Sequence, residues 1–134
     1  MNRLEGHVGA IRTCDQISQV TVVLPGGHEI RAVVIETPET AAYLQKDGEV
    51  AVLFKETEVI LCLPGSTQTS EPNQLPARVE DLEQGALFTW VGLETPIGNL
   101  GAVIPSESVP FLGLKPGIDV VVCVKTTEVM LSGQ

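Results

Sequence analysis

The sequence predicts a mainly β protein that consists of two small five-stranded barrels in tandem, each with one short helix. Three observations lead to this fold class. The chain aligns with itself at an offset of about 70 residues, which indicates an internal repeat. Apolar residues alternate with polar ones and β-branched residues are common, which favours strands over helices. Short apolar runs recur at about 10-residue spacing in each copy, and this predicts five strands per copy.

The duplication is clearest at the ends of the two copies. The openings, NRLEGHV at 2–8 and NQLPARV at 73–79, share the pattern N-x-L-x-small-x-V. The closings, KETEVIL at 55–61 and KTTEVML at 125–131, are identical at five of seven positions. We therefore predict domains at 1–64 and 73–134, joined at 65–72 by a linker of turn formers and small polar residues.

Local patterns place the elements within each copy. In the first, the alternating runs at 19–24 and 50–54 predict strands, and Pro-Gly-Gly-His at 25–28 predicts a hairpin turn. Thr-Pro-Glu at 37–39 supplies an N-cap, a proline at the first helical position and an acidic residue, so a helix is expected as far as Lys46.

The second copy repeats this helix in a weaker form. Ser-Glu-Ser at 106–108 opens the matching segment, and Pro116 with the glycine after it should end the segment. Because proline within a helix removes a backbone donor, Pro110 should make this helix shorter or more irregular.

The charge balance excludes several classes of function. Of 134 residues, 8 are Lys or Arg and 17 are Asp or Glu, which gives a net charge of −9. Without a basic cluster, the chain cannot release counterions from nucleic acid or bind an anionic membrane surface. Its apolar runs fall far short of the roughly 18 residues that a spanning helix needs, and the first residues lack a signal-peptide core. We expect a cytoplasmic protein.

No catalytic or metal-binding constellation is found in the sequence. Cys14, Cys62 and Cys123 are widely spaced, so neither a zinc site nor a disulfide framework is predicted, and the latter two are expected to be core thiols. His7 and His28 are expected to be solvated side chains. Because no catalytic motif is present, no enzyme activity is expected.

Each copy places a lysine, Lys55 or Lys125, at the same point of the frame V-x-V-x-x-K-x-T-E-V. Two interpretations are open. In one, the lysine is an ordinary surface residue paired with Glu58 or Glu128. In the other, it binds an oxyanion together with a following hydroxyl, such as that of Thr126, and exposed backbone amides.

The whole chain resembles a tandem pair of the molybdate-binding Mop domains, also called TOBE domains, which are OB-like five-stranded barrels of about this size. Domains of this family open with Ser-Ala-Arg-Asn-x-L-x-G-x-V and close with V-x-A-x-x-K-A/S-x-x-V-x-L. The opening serine and asparagines and the closing lysines of these motifs are matched by Ser70, Asn2, Asn73, Lys55 and Lys125.

The resemblance implies binding of tetrahedral molybdate or tungstate between subunits, without turnover. The oxyanion-binding residues that it implies are Ser70, Asn73, Lys125, Thr126, Lys55 and Asn2. The chain departs from the family pattern at two points: Pro72 stands in place of the opening arginine of the second copy, and Glu56 follows the lysine of the first. Because a carboxylate repels an anion, the second copy is expected to hold the better site.

We interpret the chain as a cytoplasmic oxyanion-binding protein for molybdenum homeostasis, acting in storage, buffering or transport of the anion. Two alternatives stay open: a sensing module of a molybdate-responsive transcription regulator or transporter ATPase, and an assembly domain without a ligand. Since the sites of this family lie where subunits meet, we expect a homo-oligomer, with a trimer favoured over a dimer. Neither nucleic acid nor a membrane is expected as a direct partner.

Overall fold

The computed structural model describes residues 1–65 and 68–133. In this part of the chain each repeat contributes five strands. The strands of the first repeat are β1 (Asn2–Cys14), β2 (Ile17–Val23), β3 (Glu29–Val34), β4 (Glu49–Phe54) and β5 (Ile60–Cys62). Those of the second are β6 (Gln74–Gln84), β7 (Phe88–Thr95), β8 (Gly98–Pro105), β9 (Asp119–Cys123) and β10 (Met130–Gly133). The predicted mainly β fold with two five-stranded units is confirmed.

The two sheets exchange their last strands. One sheet has the order β10-β4-β1-β2-β3 and the other β5-β9-β6-β7-β8, with antiparallel pairing throughout. Strand β5 of the first repeat therefore completes the sheet of the second, and β10 completes the sheet of the first. The predicted boundaries at 1–64, 65–72 and 73–134 separate the repeats in the sequence, whereas each folded sheet contains a strand from across the linker.

A single apolar core runs through both sheets. Strand alternation directs one face of each strand inward, as in β1, where Leu4 and Val8 are buried and His7 is exposed. The core continues without a break from Phe54 in the first repeat to Leu93 in the second. The two repeats are therefore stabilised by shared burial of apolar surface as well as by the exchanged strands.

The hairpin turn predicted at 25–28 is confirmed. A 3₁₀ turn covers Pro25–Gly27, and the N–H of Leu24 donates to the carbonyl of His28 at 2.7 Å. Gly26 and Gly27 have φ angles of 84° and 87°. Because side chains with a Cβ rarely adopt this backbone conformation, the two glycines allow the turn to close.

The helix predicted from 37 to Lys46 is wrong, because this segment forms a succession of turns. The N–H groups of Thr40 and Ala41 both donate to the carbonyl of Thr37 at 2.9 Å, but the pattern does not continue. The Oγ1 atom of Thr40 accepts a hydrogen bond from the N–H of Thr37 at 2.8 Å. Such side-chain bonds give the backbone an alternative to a longer helix.

The helix of the second repeat forms where it is expected. It is α1 (Ser108–Leu112), and it contains Pro110. Gly113, with a φ of 66°, ends the helix in the left-handed conformation, and its N–H donates to the carbonyl of Pro110 at 3.2 Å. The helix is short, as the proline predicts, and ends before the expected Pro116.

Because each repeat supplies a strand to the sheet of the other, the halves should stay together after the linker is cut. We expect a protein cleaved at a protease site inserted after Gly65 to keep the native mass of the uncut protein and to separate into two fragments in denaturant. Native mass spectrometry with size-exclusion chromatography makes the measurement. Two fragments that migrate independently under native conditions would show that the repeats fold separately.

Candidate functional site

A pocket of about 190 Å³ lies beside the exchanged strand β5, and it contains two of the predicted site residues. Ser70 precedes β6 and Lys125 follows β9, so the pairing of these two strands brings the opening and closing motifs of the second repeat together. The remaining lining residues are Ile60, Cys62, Thr69, Glu71, Cys123 and Val124. The structure therefore places the motif serine and the motif lysine on one pocket.

The polar groups of Ser70 and Lys125 are exposed to solvent. Within residues 1–65 and 68–133, neither the hydroxyl of Ser70 nor the ammonium of Lys125 has a hydrogen-bond or ion-pair partner. The alternative interpretation, in which Lys125 pairs with Glu128, is therefore not supported by the structure. Both groups are available as donors to a ligand.

The backbone turns sharply directly after Lys125. Lys125 is extended, with a φ of −63° and a ψ of 143°, and a 3₁₀ turn covers Thr126–Glu128. The N–H of Glu128 donates to the carbonyl of Lys125 at 3.0 Å. Thr126 is half-buried at the start of this turn, next to Lys125 in sequence, but it is not among the residues that line the pocket.

Glu71 adds a negative charge to the pocket that Lys125 also lines. Its Oε1 atom accepts a hydrogen bond from the backbone N–H of Asn73 at 3.1 Å, and its own N–H donates to Thr69 Oγ1 at 3.0 Å. Because the Thr69 hydroxyl donates to the carbonyl of Glu71 at 3.4 Å, the pocket of a single chain offers one cationic group and the hydroxyl of Ser70 against one carboxylate. An anion that binds here needs further donors to balance its charge.

The two predicted asparagines are engaged with the backbone of the opposite repeat. Asn73 accepts from the N–H of Arg31 and donates to its carbonyl, both at 2.7 Å. Asn2 does the same with Gly101, at 2.8 Å and 2.9 Å. Arg31 and Gly101 lie on β3 and β8, which are edge strands. Each asparagine side chain therefore pairs with the backbone N–H and carbonyl of the edge, as the backbone of a neighbouring strand would.

Both asparagine side chains are buried, with 1% of Asn73 and 6% of Asn2 exposed. Each amide uses its oxygen and its nitrogen in the bonds to the opposite repeat. We refer to these two side-chain to backbone contacts as the asparagine clamps.

The matching region of the first repeat is acidic. Lys55 is exposed and precedes the 3₁₀ turn Glu56–Glu58, as Lys125 does in its own repeat. A neighbouring pocket of about 390 Å³ is lined by Glu56, Glu80 and Asp81 but not by Lys55. A hydrogen bond from the α-amino group of Met1 lowers the pKa of Glu56 and so favours the ionised carboxylate. The carboxylates of this region repel an oxyanion.

A pair of cysteines is the feature that the sequence analysis missed. The Sγ atoms of Cys62 and Cys123 lie 3.6 Å apart in a thiol hydrogen bond, and both residues line the pocket of Ser70 and Lys125. Cys123 is buried as expected, while Cys62 is half-buried. Burial and, second, the hydrogen bond with Cys62 raise the pKa of Cys123 to about 12.

The structure also bears on the histidines, on metal binding and on membrane spans, which the sequence analysis considered. His7 is exposed and His28 is half-buried. Among the described side chains, no group of three or more His, Cys, Asp or Glu residues is arranged to hold a metal ion. In the described ranges, no helix has the length and apolar character required to cross a membrane.

Comparison with known proteins finds similarity over the whole chain. Residues 69–131 match the family described as TOBE domain. The chain is 29% identical over 132 residues to the molybdenum transport protein ModE of Azotobacter vinelandii, covering 98% of this chain and 49% of that protein. It is 38% identical over 63 residues to molybdenum-pterin-binding protein 2 of Clostridium pasteurianum, covering 46% of this chain and 93% of that protein.

A similar solved structure is that of the cytoplasmic molybdate-binding protein ModG with molybdate bound. The TM-score is 0.90 at 31% sequence identity, and the match covers 99% of this chain and 96% of that one. The chain spans about half the length of the ModE relatives that it matches.

Proposed function

The chain belongs to the Mop family of TOBE-domain proteins, and from this premise we propose that it binds molybdate reversibly as a store, buffer or carrier of the anion. The observation that carries the proposal is the position of Ser70 and Lys125, whose unpaired donors share one pocket. The overall likeness to a molybdate-binding protein of the same two-repeat length supports it. Tungstate, a tetrahedral oxyanion of the same charge, is the second expected ligand.

The proposed chemistry is ligation without turnover. A lysine ammonium offers a point charge and three donors, and a serine hydroxyl adds one more. These groups bind the oxygen atoms of a tetrahedral anion through hydrogen bonds and charge, and no covalent bond to the anion is made or broken. The relatives named above are binding and transport proteins, and we expect this chain to catalyse no reaction.

The charge of the pocket supports a site that is shared between subunits. Molybdate carries two negative charges, whereas a single chain offers Lys125 against Glu71. We therefore propose that further donors come from another copy, with Thr126 and Lys55 in reach of the anion only in the oligomer. A homo-oligomer follows, with a trimer as the first expectation and a dimer as the second, located in the cytoplasm and without direct contact to nucleic acid.

Calorimetric titration with molybdate, tungstate and sulfate tests the proposal, on protein whose mass has been determined by light scattering. We expect heat of binding with molybdate and tungstate, and a mass of about three times or twice the 14.3 kDa of one chain. No heat and no thermal shift with either anion up to millimolar concentration would contradict the function. A mass of one chain at micromolar concentration would contradict the shared site.

A further inference from the structure

The thiol pair of Cys62 and Cys123 connects the two repeats at the exchanged strand. Ile60 of β5 pairs with Cys123 of β9, and Cys62 pairs with Val121. The cysteines are therefore diagonal neighbours on one face of the sheet, and their Sγ atoms lie 3.6 Å apart. The pair comes from different repeats and exists because β5 lies in the sheet of the second repeat.

We propose that Cys62 and Cys123 form a reversible disulfide that fixes β5 to β9 and, by moving one wall of the anion pocket, weakens anion binding. The disulfide stands on the thiol geometry by itself, whereas its effect on binding rests on the function proposed above. The pocket places both thiols beside Lys125 and Ser70, so a change in one site reaches the other directly.

The geometry needs a small movement of one strand. A disulfide bond is about 2.05 Å long, so the two sulfur atoms must approach by about 1.5 Å. Strand β5 covers only Ile60–Cys62 and lies at the edge of its sheet, next to β9 alone. A short edge strand that is followed by a loop shifts at low cost, whereas Cys123 is held in the core by its neighbours.

The chemistry assigns different roles to the two thiols. Cys62 is half-buried and accessible to an oxidant, while 3% of Cys123 is exposed and burial keeps it protonated at neutral pH. With a hydroperoxide as oxidant, the Cys62 thiolate attacks one peroxide oxygen, the O–O bond breaks, and a sulfenic acid and hydroxide form. The Cys123 sulfur then attacks Cys62 Sγ, the S–O bond breaks, and the leaving hydroxyl takes the Cys123 proton as water.

The disulfide should stabilise the fold and narrow the pocket. It closes a long loop between β5 and β9, and this restriction of the unfolded chain should raise the Tm by about 5 to 15 °C. Ile60 and Cys62 of β5 form one wall of the pocket, whose volume is about 190 Å³. Moving Cys62 towards Cys123 shifts this wall inward and makes the pocket smaller. We expect anion affinity to fall about tenfold, the loss of roughly one well-made hydrogen bond.

The test uses a Cys14→Ser variant, because the exposed Cys14 would otherwise form disulfides between chains. After treatment with hydrogen peroxide, we expect the intact mass to fall by two hydrogens, both thiols to disappear, and the peptides of 62 and 123 to be linked. The higher Tm should return to its original value with dithiothreitol. Added oxygen on Cys62 with a free Cys123 thiol would overturn the disulfide, and a matched Cys14→Ser, Cys62→Ser variant should show no cross-link.

Calorimetry with molybdate on the reduced and oxidised Cys14→Ser variant tests the coupling. A roughly tenfold weaker affinity after oxidation supports the proposal, and equal affinities would overturn the coupling. Absence of binding by the reduced protein would contradict the proposed function and with it the coupling, while the mass measurement still decides the disulfide.

Discussion

Replacing Lys125 with alanine should weaken molybdate binding by roughly ten- to 150-fold. Lys125 supplies the positive charge of the pocket that it shares with Ser70, and it has no ion-pair partner in the described residues. A hydrogen bond from a charged donor is worth about 1.5 to 3 kcal/mol, which corresponds to that range of affinity. Calorimetric titration of the wild-type and Lys125→Ala proteins makes the measurement. Because the side chain is exposed, the free energy of unfolding should change by no more than about 0.5 kcal/mol.

The first repeat supplies a matched control for this experiment. Lys55→Ala removes the equivalent lysine, but Glu56 follows Lys55 and lines a pocket with two further carboxylates, so a smaller loss of affinity is expected. Thr126→Glu gives the second copy the Lys-Glu sequence of the first and should weaken binding as well. Equal losses for both lysines would mean that they serve equivalent sites. If Lys125→Ala causes no loss of affinity, Lys125 is not part of the site. The oligomeric state of each variant must be checked, because the proposed site is shared between subunits.

Replacing Asn73 with alanine should lower the free energy of unfolding by about 2 to 4 kcal/mol. The substitution removes two hydrogen bonds of 2.7 Å and leaves the N–H and carbonyl of Arg31 unpaired at the edge of β3. Since 1% of Asn73 is exposed, water does not replace the lost partner without rearrangement. Urea denaturation of the wild-type and variant proteins measures this loss, and we expect the two m-values to be equal.

Two variants serve as controls for the asparagine clamps. Asn99→Ala changes an exposed asparagine and should alter stability by no more than about 0.5 kcal/mol. Asn2→Ala should resemble Asn73→Ala, because Asn2 holds Gly101 in the same way. Retained stability together with lost molybdate binding in Asn73→Ala would mean that Asn73 acts as a ligand and that the clamp contributes little.

Local patterns in the sequence predicted the strands but could not assign every strand to its sheet. Alternation and turn residues depend on a few neighbouring positions, and they correctly gave five strands in each repeat. The closing segments at 55–61 and 125–131 are identical at five of seven positions, so their sequences do not distinguish which sheet each one joins. The exchange depends on contacts between residues far apart in the sequence, such as the pairing of Ile60 with Cys123, which a local pattern does not encode.

The same limitation explains the features of the site that the sequence did not predict. Ser70 and Lys125 were expected together because both belong to the motifs of one repeat, and the structure places them on one pocket. Cys62 and Cys123 lie in different repeats and meet only through the exchanged strand. The asparagines were expected at the anion, and only the three-dimensional arrangement shows that both amides bind the opposite repeat.

Strand exchange also determines how the stability of this fold depends on protein concentration. A chain with one repeat would leave its sheet with four of five strands and would need a second molecule to supply the last one. The linker makes that association intramolecular, at an effective concentration that is typically in the millimolar range when the connection is short. Completion of the two sheets in the tandem chain is therefore independent of dilution, whereas assembly of the anion site between chains would remain subject to mass action.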